Sequence, residues 1–267
     1  MDTQTGFAKF QNLFAALVIP IAFVLALIVY FFLMGAPSNF QGNNSDNLPL
    51  QGNFLGIMYK GGYIVPILMT LLLTVLTFSI ERYYTIRKAH GNIAPVKFVA
   101  KLKACLAADD IKGAKAECDR VQGSVASVAK SALDKYEQME IDKIMTKEQK
   151  ILDIQKNVEE ATSLELPSLE ENLPILATIT SLATLMGLLG TVLGMIRSFA
   201  AMANAGAPDS VGLATGISEA LVNTAFGIAA ASAALVSYSY FTTKIDKLTF
   251  AIDEAGYSIA QTFAAKH

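Results

Sequence analysis

The sequence predicts an all-α integral membrane protein with four transmembrane helices and a helical cytoplasmic domain. Three observations carry this. The chain of 267 residues is 53% hydrophobic and only 16% charged, where a soluble domain carries about 25% charged residues. No Asp, Glu, Lys, Arg or His occurs from Phe10 to Ser45, Gly61 to Ile80, Asn172 to Ile196 or Ala220 to Thr243, and about 20 apolar residues span a bilayer as a helix. Most of the remaining charge lies in residues 82–173, among apolar residues at helical spacing.

The first span is expected over 13–34. Its apolar run exceeds a signal-peptide core and follows only Lys9, so it reads as an uncleaved helix. With the polar, turn-rich loop that follows, it forms segment 1–61. The second span is expected over 62–81 and ends at Glu81-Arg82. Segment 82–173 opens with Arg82, Arg87 and Lys88; loop 204–212 has no basic residue, whereas Lys244 and Lys247 follow the last run. The positive-inside rule then places 82–173 and the C-terminus in the cytoplasm. Four spans put the N-terminus there too, and loops 35–60 and 204–212 outside.

Within 82–173, Val96, Val99, Leu102 and Leu106 recur every three to four residues, and Asp109-Asp110 mark a break. A solvated helical bundle is expected. Cys105 and Cys118 fit no metal spacing and are expected to be reduced and partly buried. Ser168 and Glu171, just after Pro167, read as a capping box that starts the third membrane helix, with Pro174 in its first turns.

The last two spans, roughly 174–201 and 212–241, form a hairpin segment, 174–243, followed by a C-terminal helix over 244–267. Thr180, Thr184, Gly187, Thr191, Gly194 and Ser198 repeat at steps of four and three and share a face. Small residues there permit close helix approach. Glu219 is the only acid inside an apolar run. A carboxylate at membrane depth costs at least a few kcal/mol, so such residues are rare and usually functional. Asn223, four residues on, shares its face; Thr224 sits about 140° away. Folding the hairpin about Ala207–Pro208 brings Thr191 level with Thr224, and Arg197 level with Glu219. Arg197 has two readings: snorkelling to the outer surface, which its place near the run's end favours, or pairing with Glu219.

No basic cluster suggests nucleic acid. No Gly-Lys-Ser/Thr follows GLLGTVLG, so no nucleotide site is expected. No cofactor or metal set is visible, and no nucleophile–base arrangement points to an enzyme. A secondary transporter would show repeated halves or broken-helix pairs.

The segments GLLGTVLGMIRSF (187–199) and GISEALVNTAFGIAAASAALVSY (216–238) resemble the MotA/TolQ/ExbB proton-channel family, its ExbB members most. Residues 63–86 are similar to the first helix of that family, and nothing in it matches 13–34, an addition before the usual three spans. The resemblance implies that Thr191, Glu219 and Thr224 line a proton pathway, with Thr184, Gly187, Arg197 and Asn223 in support. It implies a homo-oligomeric ring, a pentamer, in the bacterial inner membrane. Its partners would be an ExbD-like single-span subunit with a membrane aspartate and a TonB-like protein. Two departures stand out: Ala233 occupies a position where many members have proline, and Asn223 and Arg197 occupy positions that are commonly small or uncharged.

Overall fold

A computed structural model describes residues 17–45, 47–203 and 209–266. The described residues are helical throughout, apart from turns and a single bridge between Phe40 and Pro49. Besides two short 3-10 helices, Pro37–Asn39 and Gln41–Asn43, nine longer helices are described: α1 Leu17–Met34, α2 Phe54–Tyr59, α3 Ile64–His90, α4 Pro95–Ala107, α5 Ile111–Val121, α6 Ser124–Ile141, α7 Lys147–Glu170, α8 Leu173–Ala203 and α9 Ser210–Lys266. Four of the helical stretches are long and apolar enough to cross a membrane, and the protein is a multi-pass helical membrane protein. Residues 13–16 of the expected first span, the N-terminus assigned to the cytoplasm and the hairpin tip at Ala207–Pro208 lie outside the described residues.

The chain forms two compact units: one of residues 1–79 and 174–238, the other of 80–173 and 239–267. In the first, α1 buries Val18, Ala22, Ala26, Tyr30 and Met34, an i, i+4 stripe on one helix face. Its last turns, Val29–Met34, widen to π geometry. Ala26, Tyr30 and Met34 form a core with Val65 and Met69 of α3, against which Tyr59, Val222 and Phe226 pack. Asn53 caps α2 by accepting from the Gly56 amide at 3.1 Å. Asn39 fastens the loop to the end of α1 by donating to the Leu33 and Met34 carbonyls at 2.8 and 2.9 Å. Asp209 caps α9, accepting from the Val211 and Gly212 amides at 3.1 and 2.9 Å.

The second unit is a helical bundle. Phe98, Val99, Leu102 and Leu106 of α4, Leu133 and Tyr136 of α6, and Ile252, Ile259 and Phe263 of α9 are buried. The Tyr136 and Phe263 rings meet edge-on at 5.0 Å. Asp110 caps α5 by accepting from the Gly113 amide at 2.8 Å, so the break expected at Asp109-Asp110 is present. Both cysteines are free, Cys105 half-buried and Cys118 buried.

Two features depart from expectation. The capping box at Ser168 does not form. Instead α7 runs through Pro167 to Glu170, and the Ser168 hydroxyl donates to the Glu165 carbonyl at 2.8 Å. Pro167 removes one hydrogen bond in the last turn of α7 without ending the helix, and Asn172 makes the turn at φ 64°. The box lies instead at the start of α7, where Thr146 and Gln149 cap each other's backbone. α9 is one unbroken helix of 57 residues, so neither Ala233 nor Thr243 ends it. Where α3 enters the second unit, the Arg82 side chain is fully buried. It pairs with Glu81 and donates to the Ser168 and Leu169 carbonyls at 3.1 and 3.2 Å, satisfying orphan carbonyls at the end of α7.

Candidate functional site

The hairpin of α8 and α9 is set by glycine. On α8 the residues Ala183, Gly187, Gly190, Gly194 and Ser198 are buried; on α9, Gly216, Ala220, Asn223, Gly227, Ala230 and Ala234. A Cβ on Gly227 would stand 2.8 Å from the Gly187 Cα, and one on Gly194 2.8 Å from the Ala220 nitrogen. The two backbones therefore touch, as small residues allow in lipid. Ser198 closes this seam by donating to the Leu213 carbonyl at 3.1 Å.

That register fixes the acid. Glu219 is 5% exposed, and its Oε1 accepts from Nη1 of Arg197 in the same chain. The expectation that Arg197 snorkels away is corrected. With the backbones in contact, residue 197 falls within reach of residue 219, and a buried carboxylate without a partner costs several kcal/mol. Half of the Arg197 side chain stays exposed all the same, so the guanidinium sits at the mouth of the buried site.

Asn223, one turn beyond Glu219, is fully buried. Its amide donates to the Gly61 carbonyl at 2.9 Å, while its Oδ1 is buried without a partner. Gly62 follows at φ +75°, and a Cβ there would strike Oε1 of Glu219 and stand 3.2 Å from Nη1 of Arg197. Glycine is required twice over, by the backbone angle and by the space. This turn was missed in reading the sequence. Its one trace there is the pair Gly61-Gly62 at the threshold of an apolar run.

The hydroxyl stripe expected on α8 divides. Gly187, Gly194 and Ser198 face the seam, Thr180 and Thr191 are half-buried, and Thr184 is exposed. A straight helix drifts away from a strict seven-residue repeat, and the seam follows the glycines. Thr184 donates to the Thr180 carbonyl at 3.1 Å, Thr191 to Leu188 at 2.6 Å and Thr224 to Ala220 at 3.1 Å. Each hydroxyl is bound to its own helix and keeps lone pairs for a further donor; none of the three bonds Glu219. The structure thus brings together Glu219, Arg197, Asn223 and the Gly61–Gly62 turn, and leaves Thr184, Thr191 and Thr224 outside that cluster, Thr184 exposed and the other two half-buried. Leu185, Leu188, Val192 and Ile196 on α8, and Leu221 and Ile228 on α9, are exposed large apolar side chains of that hairpin. Among the described residues no group of three His, Cys, Asp or Glu could hold a metal.

Comparison with known proteins agrees with this architecture. Residues 122–254 match the MotA/TolQ/ExbB proton channel family. The Tol-Pal system protein TolQ of Pseudomonas aeruginosa is 40% identical over 88 residues, 33% of this chain and 38% of the relative. The biopolymer transport protein ExbB of Pseudomonas putida is 29% identical over 161 residues, 60% of this chain and 45% of the relative. That of Helicobacter pylori is 42% identical over 81 residues, 30% of this chain and 56% of the relative. The chain covers less than two thirds of the length of each.

Proposed function

We propose, from the premise that the chain belongs to the MotA/TolQ/ExbB proton channel family, that it is the ring-forming, non-enzymatic subunit of a proton-driven motor in the bacterial inner membrane. With an ExbD-like single-span partner carrying a membrane aspartate, it energises TonB-dependent outer-membrane transport. The observation that carries this reading is Glu219, an ionisable group buried between two apolar helices with one half-exposed partner, Arg197. One charge crossing 100 mV releases about 2.3 kcal/mol, and a buried carboxylate with one ion partner among the described residues, itself half-exposed, suits a path for that charge. Thr191 and Thr224, whose lone pairs remain available, accept from pathway water or from the partner's protonated acid. The exposed apolar faces of α8 and α9 support assembly into a ring, taken as a pentamer around the partner's helices, with lipid outside. Segment 82–173 and the C-terminus lie in the cytoplasm, as does the N-terminus.

The likeness to TolQ supports a second reading with the same chemistry and a different client, envelope integrity. Purifying the native complex and identifying its second subunit separates the two. The test of the shared mechanism is energised uptake by cells carrying Glu219→Gln or Thr191→Val. Both variants are expected to assemble and to lose uptake; wild-type uptake in both overturns the pathway assignment. The close pairing of Glu219 with Arg197 also suits a passive scaffold with no proton role. The swap Glu219→Arg with Arg197→Glu decides between them: a stable but inactive complex supports the pathway, and restored function supports the scaffold.

A further inference from the structure

The added first helix reaches the acid through a short run of contacts. The Tyr30 hydroxyl of α1 donates to the Tyr59 carbonyl at 2.9 Å. The same carbonyl accepts from the Gly62 amide at 3.2 Å. One oxygen therefore ties the end of α1 to the turn that lies against Glu219. The ring of Tyr30 stacks on that of Tyr59 with centroids 4.7 Å apart, and Phe40 meets Tyr59 edge-on at 5.5 Å. Gly35 leaves room for the ring: a Cβ there would stand 2.6 Å from its Cε2. From Tyr59 the chain enters the turn, where the Gly61 carbonyl accepts from Asn223 and the Gly62 backbone abuts both Glu219 and Arg197. Val222 packs against the same core as Tyr30 and Tyr59. The turn is thus held at both ends, by α1 and by the helix that bears the acid.

We propose that α1, through Tyr30, holds the Gly61–Gly62 turn closed over Glu219, shielding the carboxylate from water and fixing its pairing with Arg197. Tyr30 and Gly62 are positioning residues: neither carries the proton, and both set the exposure of the group that does. The consequence for function rests on the reading of Glu219 as the pathway acid. The physical logic is local. A carboxylate at a half-exposed arginine would exchange with solvent unless something covers it, and only a residue without a side chain, at positive φ, fits that position. A turn of so few residues has little stability of its own, so its closure depends on the anchors outside it.

The test is carbodiimide labelling of carboxylates, with a small amine as trap, on the full chain in native membranes. The readout is the extent of modification of Glu219 relative to the exposed Asp209, by peptide mass spectrometry. In the wild type Glu219 is expected to lag well behind Asp209. Tyr30→Phe removes one oxygen and keeps the ring stack; loss of that hydrogen bond is expected to raise the Glu219 ratio about fivefold. Gly62→Ala is expected to raise it at least as much. Glu81 serves as control, since general loosening would raise its labelling too, and a rise confined to Glu219 supports the cover. Equal labelling of Glu219 and Asp209 in the wild type, an unchanged ratio in Tyr30→Phe, or a parallel rise at Glu81 overturns the proposal. If Gly62→Ala does not accumulate, Tyr30→Phe alone decides. The two levels separate cleanly. A raised ratio together with full uptake by Glu219→Gln keeps the cover and discards the pathway. An unchanged ratio together with a dead Glu219→Gln discards the cover alone.

Discussion

Two arginine–glutamate pairs in this protein use the same chemistry to opposite ends. Arg82 and Glu81 are neighbours in sequence, and the Arg82 side chain is 0% exposed. Its guanidinium is divided among Glu81, the Ser168 and Leu169 carbonyls and, at 3.9 Å, Glu171. Glu81 in turn accepts from Thr85 at 3.0 Å and Asn172 at 3.3 Å. Arg197 and Glu219 come together from different helices, with side chains 51% and 7% exposed. Here the acid is buried and the base is not. The first pair cannot open without stranding several buried polar groups. The second joins one acid to one arginine that is half in solvent, with only the Gly62 backbone laid against both. Saturation with partners makes a clamp; Glu219, with one ion partner among the described residues, is not held in that way.

The largest expected effect follows from removing the clamp. Arg82→Met strands Glu81 and two helix-end carbonyls and should cost about 3–5 kcal/mol, read as a fall in the thermal midpoint of the purified protein. Arg82→Lys keeps the charge but loses the fork of donors and should recover only part. Gly194→Leu comes next. It overfills the seam where the backbones touch and should cost about 1–3 kcal/mol, while Arg82 and its partners stay in place. Arg197→Met should cost less than Arg82→Met, about 1–3 kcal/mol, because it leaves one buried group without its partner where Arg82→Met leaves three. A loss as large as that of Arg82→Met would end the distinction between clamp and switch.

The smallest effect concerns the interior of the helical bundle. Burial pushes the Cys118 thiol up to about 12 from an ordinary 9.0. Its neutral form is favoured in the fold, so its contribution to stability is complete below the ordinary value and is lost as pH rises through about 12. At pH 8 an alkylating reagent should therefore modify half-buried Cys105 well before Cys118. Equal rates would mean that this bundle is far wetter than its packing shows.

Much of this was legible in the chain. The four charge-free blocks located the spans, and the lone acid in the last of them located the site. What escaped was whatever depends on a partner far away in sequence. Asn223 meets Gly61 across 162 positions, and no periodicity reports such a contact. For Arg197 the folded-over hairpin already put it level with Glu219 and left pairing open beside snorkelling; its place near the end of an apolar run favoured snorkelling, because depth alone does not say how closely two helices approach. Ser168 looked like a cap because Ser-x-x-Glu follows a proline. The motif is local, whereas the end of α7 is set where Arg82 captures its carbonyls.

Composition and order along the chain were enough to dictate the helical class, the spans and the one acid within them. Each of these sums over contiguous residues, since the cost of placing a segment in lipid is paid residue by residue. Folding alone settled which groups meet: Glu219 with Arg197, Gly62 laid against both, and Tyr30 fastened to the turn that carries it. Those contacts depend on how closely two glycine-lined backbones approach and on a single positive φ, and neither is a property of any one stretch of sequence.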